Sequence, residues 1–250
     1  MPFGALIIGD EILSGKRQDK HLARLIALLD ARGLELAWAE YLGDDRQRIV
    51  ATLRRTFGSG DIVFSFGGIG ATPDDHTRQA AAEAAGVPLA LHPEAQAEIE
   101  ARFGADAYPK RILMGEFPVG SRIVPNPFNR IPGFSLHEHH FLPGFPEMAW
   151  PMAEWVLDTV YSCLHRAVRP ADEAIIVREA GESQLIDLMN AVGTDHPALK
   201  VFSLPHIGEG GRHVELGVRG APEDVARAMC ELQAGVTRLG FPWEARPPRE

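Results

Sequence analysis

A chain of 250 residues with 45% hydrophobic and 24% charged side chains has the make-up of a globular protein, with room for one large domain or for one medium and one small. Its formal net charge of −9 argues against broad binding to nucleic acid or to anionic membrane surfaces, so an anionic ligand must be held by local donors or a metal. Cys163 and Cys230 form no CxxC and suggest neither zinc nor a disulfide framework, and no apolar run approaches the ~20 residues of a membrane span.

The opening MPFGALIIGDE lacks a basic segment and meets acids early, so it reads as a strand over 5–8 in a cytoplasmic protein, not as a signal peptide. Asp19 is placed to cap a helix with Leu22, Ile26 and Leu29 on one face, which Gly33 ends. A second strand over 34–38 leads to Gly43-Asp44-Asp45, where Asp44 is placed to cap a helix bearing Ile49, Leu53 and Phe57. The pattern then repeats: an apolar run (Ile62, Val63, Phe64, Phe66) breaks into Gly67, Gly68 and Gly70. Thr72, Pro73, Asp74, Asp75 and Thr77 open the next helix. A strand over 87–91 and a helix over 93–103 follow. Strands alternating with helices predict an α/β domain, its mostly parallel sheet covered on both faces.

Glycines let backbone N–H groups approach a ligand, and a helix N-terminus carries partial positive charge, so the 67–77 stretch reads as a phosphate cradle. Carboxylates at its rim would repel the phosphate unless a divalent cation lay between, which predicts Mg²⁺. GDE, GDD and GGIGATPDD all fall at strand ends, where ligands bind in such sheets. Each has a structural reading beside the functional one. Thr72 and Asp75 suit a capping box, Asp44-Asp45 is an ordinary N-cap pair, and Asp10-Glu11 ends a strand expected to be buried.

Residues 105–150 are richer in Pro and Gly, with strands expected at 122–124 and 140–142 and an apolar helix opening at Glu147 with Met148, Met152, Trp155 and Val156 as core. Lys110, Arg111, Arg122 and Arg130 are candidates for gripping phosphate. His137-Glu138-His139-His140 lacks a third zinc ligand and reads as a solvent-facing strand edge. Past a linker at Arg169-Pro170, strands at 174–178, 199–204 and 213–218 and helices at 182–192 and from Val225 to Leu239 predict a small β-α-β-β-α domain of split-βαβ or KH-like type. The domain boundary is placed between 168 and 169.

GDEILSG at 9–15, GDD at 43–45, GGIGATPDDHT at 67–77, PNP at 125–127, PGF at 132–134 and LPGFPEM at 142–148 occur in this order. Together they resemble the MoaB/Mog-type molybdopterin-binding fold as carried by competence/damage-inducible (CinA) proteins, over roughly residues 4–160. The resemblance implies a three-layer α/β/α domain that binds molybdopterin, or an adenylylated form of it, at the glycine-rich loop. It also implies metal-dependent hydrolysis of a nucleotide pyrophosphate such as ADP-ribose. Carried over residue by residue, Asp44 and Asp75 are the implied catalytic and metal-binding acids. Gly67, Gly68, Gly70, Thr72, Asp74 and Thr77 match the phosphate loop. Gly9, Asp10, Glu11 and Ser14 match the first strand-end loop, and Asn126, Pro143 and Gly144 complete the ligand site. His21 stands where such proteins carry Asn, Ala71 where they carry Pro, and Asn129-Arg130-Ile131 where they carry Gly-Thr-Ala. With no amidase domain after residue 250, deamidation of nicotinamide mononucleotide is not expected. Self-association as a dimer or trimer is.

Two further readings stand beside hydrolysis: a protein that binds or adenylylates molybdopterin in molybdenum cofactor biosynthesis, and a non-catalytic ligand-binding module.

Overall fold

A computed structural model describes residues 1–167, 170–208 and 211–247, which fall into two compact units, Met1–His165 and Arg166–Glu250. The first unit opens with β1 (Phe3–Ile8), α1 (Asp10–Leu13), α2 (His21–Asp30), β2 (Leu36–Leu42), α3 (Arg46–Phe57), β3 (Ile62–Phe66) and α4 (Thr77–Ala85). It continues with β4 (Leu89–Leu91), α5 (Pro93–Phe103), β5 (Glu116–Pro118), β6 (Arg122–Val124), β7 (Gly133–Leu136), β8 (His139–Leu142) and α6 (Pro146–Thr159).

Every residue of β1 and β3 is buried, as continuous apolar runs covered on both faces must be. They form the centre of a six-stranded sheet of order β2-β1-β3-β8-β7-β6. β2, β1, β3 and β8 run parallel, and β7 and β6 add antiparallel strands at one side. One face packs Phe64, Phe66 and Leu142 against α2 and α6 through Leu25, Leu29, Met152 and Val156. The other packs Leu6, Ile8 and Val63 against α3, α4 and α5 through Ile49, Leu53, Ala81 and Ala95. The fold is thus an α/β/α sandwich with a mostly parallel sheet, as the alternation of elements implies.

Several elements differ from expectation. On α2 the buried stripe runs through Leu25, Leu28 and Leu29, leaving Ile26 47% exposed. The strand expected at 87–91 shortens to β4 and leaves the main sheet to pair antiparallel with β5. β5 and β7 carry too few residues to show a period. Trp155 is 37% exposed and is not core, whereas Met152 and Val156 are.

The 137–140 segment is not a solvent-facing edge. His137 takes a left-handed turn conformation (φ 53°), and His139 and His140 are buried inside β8 between β3 and β7. His139 Nε2 bonds Thr56 Oγ1 at 2.8 Å, and His140 bonds Ser135 Oγ and Tyr161 Oη, each at 2.8 Å. Tyr161 donates its proton to Glu138 Oε2 at 2.5 Å, so it accepts from His140 Nε2–H, and His140 Nδ1 accepts from Ser135. Both ring nitrogens of His140 are thus satisfied, whereas His139 keeps Nδ1 buried without a partner.

In the second unit β9 (Ala171–Arg178), α7 (Ile186–Asp195), β10 (Lys200–Gly208), β11 (Gly211–Gly220), α8 (Pro222–Arg238) and β12 (Trp243–Ala245) form an antiparallel sheet of order β10-β11-β9-β12. β11 lies between β9 and β10, the split-βαβ arrangement. Val225, Met229, Leu232 and Val236 of α8 are buried against Ile175, Val177, Leu216 and Val218, but Leu239 is exposed just beyond the helix end. The helix expected from 182 starts at Ile186, after one 3-10 turn. Arg169 of the expected linker lies outside the described residues. No helix among the described residues is long and apolar enough to cross a membrane.

Candidate functional site

The carboxyl ends of β1, β2, β3 and β8 converge on a cavity of about 400 Å³. Gly67 leaves β3 with φ 102°, and a Cβ there would stand 2.1 Å from Ile8 O; Gly68 follows with φ 68°. Only glycine permits both the left-handed backbone and the close pass beside β1. The three glycine carbonyls of the loop accept from α4. Gly67 O accepts from Thr77 Oγ1 (3.0 Å), Gly68 O from Thr77 N–H (2.9 Å), and Gly70 O from Arg78 Nη2 (2.7 Å). The N–H groups of Gly68, Ile69, Gly70 and Ala71 donate to no protein acceptor among the described residues, and all four residues line the cavity. Successive uncommitted amides of this kind form an anion-binding nest.

The next residues correct the expected helix start. α4 begins at Thr77, not at Thr72. Asp75 N–H donates to Thr72 O at 3.0 Å, while Asp75 Oδ2 accepts from Thr72 N–H at 2.8 Å and Thr72 Oγ1 at 2.5 Å. The carboxylate therefore closes a turn in which Thr72 is a donor, not an N-cap acceptor.

At the neighbouring strand ends Asp10 and Asp44 clasp one another. Asp10 N–H donates to Asp44 Oδ2 at 2.9 Å and Asp44 N–H to Asp10 Oδ1 at 3.2 Å. The cap of α3 is Asp45, which accepts from Arg48 N–H at 3.0 Å, so Asp44 is released from the capping role expected of it. Asp10 lies in α1, exposed, instead of ending a buried strand.

Gly9, Glu11, Asp44 and Gly67 to Gly70 line the cavity, as do Thr72, Asp74 and Asp75. Pro143 and Gly144 close another side, and Gly144 passes close to Gly67 Cα. Asn126 lines the cavity with its amide committed: Nδ2 donates to Ile131 O at 2.9 Å, and Oδ1 accepts from Phe128 N–H at 3.0 Å. Asp10, Ser14 and Thr77 do not line it. Asp10 acts through Asp44, Thr77 lies buried under the glycine loop, and Ser14 is exposed after α1. None of the four suggested phosphate-gripping cations lines it either. Arg130 pairs with Glu98, and Arg111 donates to Asp106 O and lies over Phe103.

Three contributions escaped the sequence. Arg17 lines the cavity. Arg78, 3% exposed, donates to Gly70 O, to Leu113 O at 2.6 Å and to Glu116 O at 3.0 Å, tying the glycine loop to the 111–118 segment; burial depresses its pKa. Met114, Ile131, Phe145 and Met148 add apolar wall. The available signal was the cation following Thr77 at the helix start, where a lone arginine reads as surface. His21, at a position noted as a departure, is buried, stacks on Phe66 and bonds Gly144 O through Nε2 at 3.2 Å, with burial lowering its pKa.

The carboxylates titrate apart. Burial, then the charges of Asp10, Glu11 and Asp74, hold Asp44 above the usual carboxylate range, against the pull of Asp10 N–H. Asp74, fully exposed, is held below that range chiefly by the neighbouring Thr72 hydroxyl, whose proton lies on Asp75 Oδ2, and by its own backbone N–H. Asp74, not Asp75, is the loop acid whose charge reaches Asp44. Among the described residues no three His, Cys, Asp or Glu converge as a ready cage for a metal. Mg²⁺ needs none: one or two carboxylates and ligand oxygens suffice, and the hard acids of this rim fit that role.

Residues 4–162 match the family described as "Probable molybdopterin binding domain". A CinA-like protein of Anaeromyxobacter sp. (strain Fw109-5) is 34% identical over 201 residues, covering 77% of this chain and 48% of that protein. A CinA-like protein of Geobacter metallireducens is 30% identical over 249 residues, covering 95% of this chain and 59% of the relative. The crystal structure of the protein CinA with unknown function from Thermoplasma acidophilum superposes with a TM-score of 0.58 at 26% identity, covering 64% of this chain and 99% of that one. The chain spans about half the length of the curated relatives it matches.

Proposed function

This chain belongs to the molybdopterin-binding domain family, in the form its CinA-like relatives carry, and from that premise we propose that it binds a phosphorylated pterin or nucleotide at the Gly67–Gly70 loop and hydrolyses a nucleotide pyrophosphate of the ADP-ribose kind with Mg²⁺. The observation that carries the reading is the row of four uncommitted amides at residues 68–71, set in a cavity that carboxylates and apolar side chains also line. Amides hold the phosphoryl oxygens, and Met114, Ile131, Phe145 and Met148 offer a surface for a flat heterocycle.

Opposite pKa displacements divide the acids by task. Asp74, held ionised, is the carboxylate suited to a cation, with Glu11 beside the same cavity. Asp44, with its raised pKa, is the better proton acceptor, and no protein donor among the described residues occupies its Oδ1. Asp75, expected in the metal pair, orders the turn that presents Asp74. Mg²⁺, which Asp74 and Glu11 would hold, would supply charge neutralisation at the phosphoryl oxygens and a more acidic water. Asp44 takes the proton of the attacking water, the new bond forms to phosphorus, and the bridging P–O bond breaks; ADP-ribose gives AMP and ribose 5-phosphate.

Incubating the protein with ADP-ribose and Mg²⁺ and following AMP tests this. Folded protein that turns over no member of a pyrophosphate panel rejects hydrolysis. The family and the apolar wall also favour a second reading, binding or adenylylation of molybdopterin, for which co-purifying pterin fluorescence is the readout. Tight nucleotide binding with no metal-dependent turnover would select a non-catalytic module.

A further inference from the structure

The cavity lining carries four carboxylates, Glu11, Asp44, Asp74 and Asp75, and a single cation, Arg17. The other arginines of the neighbourhood are committed: Arg78 to three backbone carbonyls, Arg130 to Glu98 beside a separate groove, Arg111 to Asp106 O. Arg17 differs. Among the described residues its guanidinium makes no ion pair and no hydrogen bond, although four acids line the same cavity.

Of those acids, Asp44 Oδ2 accepts Asp10 N–H and Asp75 Oδ2 accepts two donors of Thr72, and none of the four forms an ion pair with Arg17 among the described residues. The Arg17 backbone is planted, its N–H donating to Glu11 O at 2.9 Å just after the left-handed turn at Gly15 (φ 72°). An exposed guanidinium on a residue that lines the cavity, with no protein partner among the described residues, is a receptor for a planar or tetrahedral oxyanion, which it can grip with two parallel N–H donors.

The site therefore holds two anion receptors of different kinds: the neutral amide row of residues 68–71 and the charged fork of Arg17. One phosphoryl group occupies one of them, and a cavity of about 400 Å³ has room for far more than one phosphate. Resting on the reading of this cavity as a phosphorylated-ligand site, we infer that Arg17 is a specificity-determining residue that grips a second phosphoryl group, so the site selects diphosphates over monophosphates. The substrate class is a compound with two linked phosphoryl groups, one on the loop amides and the other on the guanidinium.

Calorimetric titration of the full chain with AMP and with α,β-methylene-ADP, both in Mg²⁺, tests this without depending on turnover. The wild-type chain should bind the diphosphate more tightly by about tenfold to a hundredfold, the span expected for one charge-assisted phosphate contact. Arg17→Gln should bring that ratio close to one while AMP affinity holds, and Arg17→Lys, which keeps the charge but not the fork, should fall between. Arg17 is exposed and bears no structural bond through its side chain, so these variants fold. An unchanged ratio in Arg17→Gln, equal weakening of both ligands, or a wild-type ratio near one overturns the inference while leaving the phosphate site standing. A wild-type chain that binds neither compound overturns both.

Discussion

At Asp44, burial and three like charges push in one direction, and one of those charges sits beyond the glycine loop, where it can be removed without touching the Asp10–Asp44 clasp. That charge is Asp74. Asp74→Asn should lower the Asp44 pKa, because loss of a like charge favours the ionised form. Carboxyl carbon NMR titration reads this directly, and the acid limb of any turnover should move to lower pH with it. An unmoved Asp44 would mean that burial alone sets its pKa and that Asp74 is no electrostatic partner. The adjacent pair Asp44-Asp45 separates function from capping. Asp45→Ala should cost about 1 kcal/mol in urea denaturation, the worth of an N-cap, and leave ADP-ribose turnover intact. Asp44→Asn should keep an acceptor for Asp10 N–H, retain stability, and lose turnover. The reverse result would make Asp44 the structural residue of the two.

At the scale of elements, the glycine loop was legible because its spacing has a steric cause, and the denaturation of two alanine variants tests it. Gly67 and Gly60 both have left-handed backbones, at φ 102° and 74°. A Cβ at Gly67 would meet Ile8 O at 2.1 Å, whereas one at Gly60 meets nothing within 4 Å. Gly60→Ala should therefore cost about 1 kcal/mol, the strain of the left-handed conformation alone. Gly67→Ala should cost on the order of 3 kcal/mol or more, since β1 and β3 must also move apart. Equal costs would mean that the close pass of these strands is not what requires glycine. Long apolar runs such as β1 and β3, and helices with clean periodicity such as α8, could be read because pattern and burial have one source. The short strands β5 and β7 could not, since three or four residues show no period, and for β4 the strand was read but its pairing with β5, decided by a distant partner, was not. The same holds within the site. Strand-end glycines and acids stood out, but Arg17 and Arg78 did not, because whether an arginine is solvated, buried on carbonyls or open to a cavity depends on what the fold brings beside it.

Across the first unit as a whole, the histidines of β8 couple folding to pH. His139 and His140 are held neutral by burial, with pKa values lowered to about 3, while in the unfolded chain each titrates near the ordinary value of about 6.5. His137 and His139 add repulsion to a charged His139 and His140 respectively, Arg122 opposes charge on His140, and only Asp61 favours charge on His139. The folded state thus refuses protons that the unfolded state accepts. Stability is complete above about pH 6.5 and declines as pH falls through that value toward 3, with a limiting slope of about 2.7 kcal/mol per pH unit for two such groups. His21, also lowered by burial, adds in the same direction. Urea midpoints should therefore fall markedly between pH 7.5 and pH 5.5, a window in which ordinary carboxylates stay ionised. His140→Gln should lower stability at pH 7.5, because Ser135 and Tyr161 lose a matched partner, yet it should flatten the pH dependence by one proton's share. A wild-type midpoint that does not move over that window would mean that the β8 imidazoles take up protons in place, with Glu138 and Thr56 reorganising to receive them.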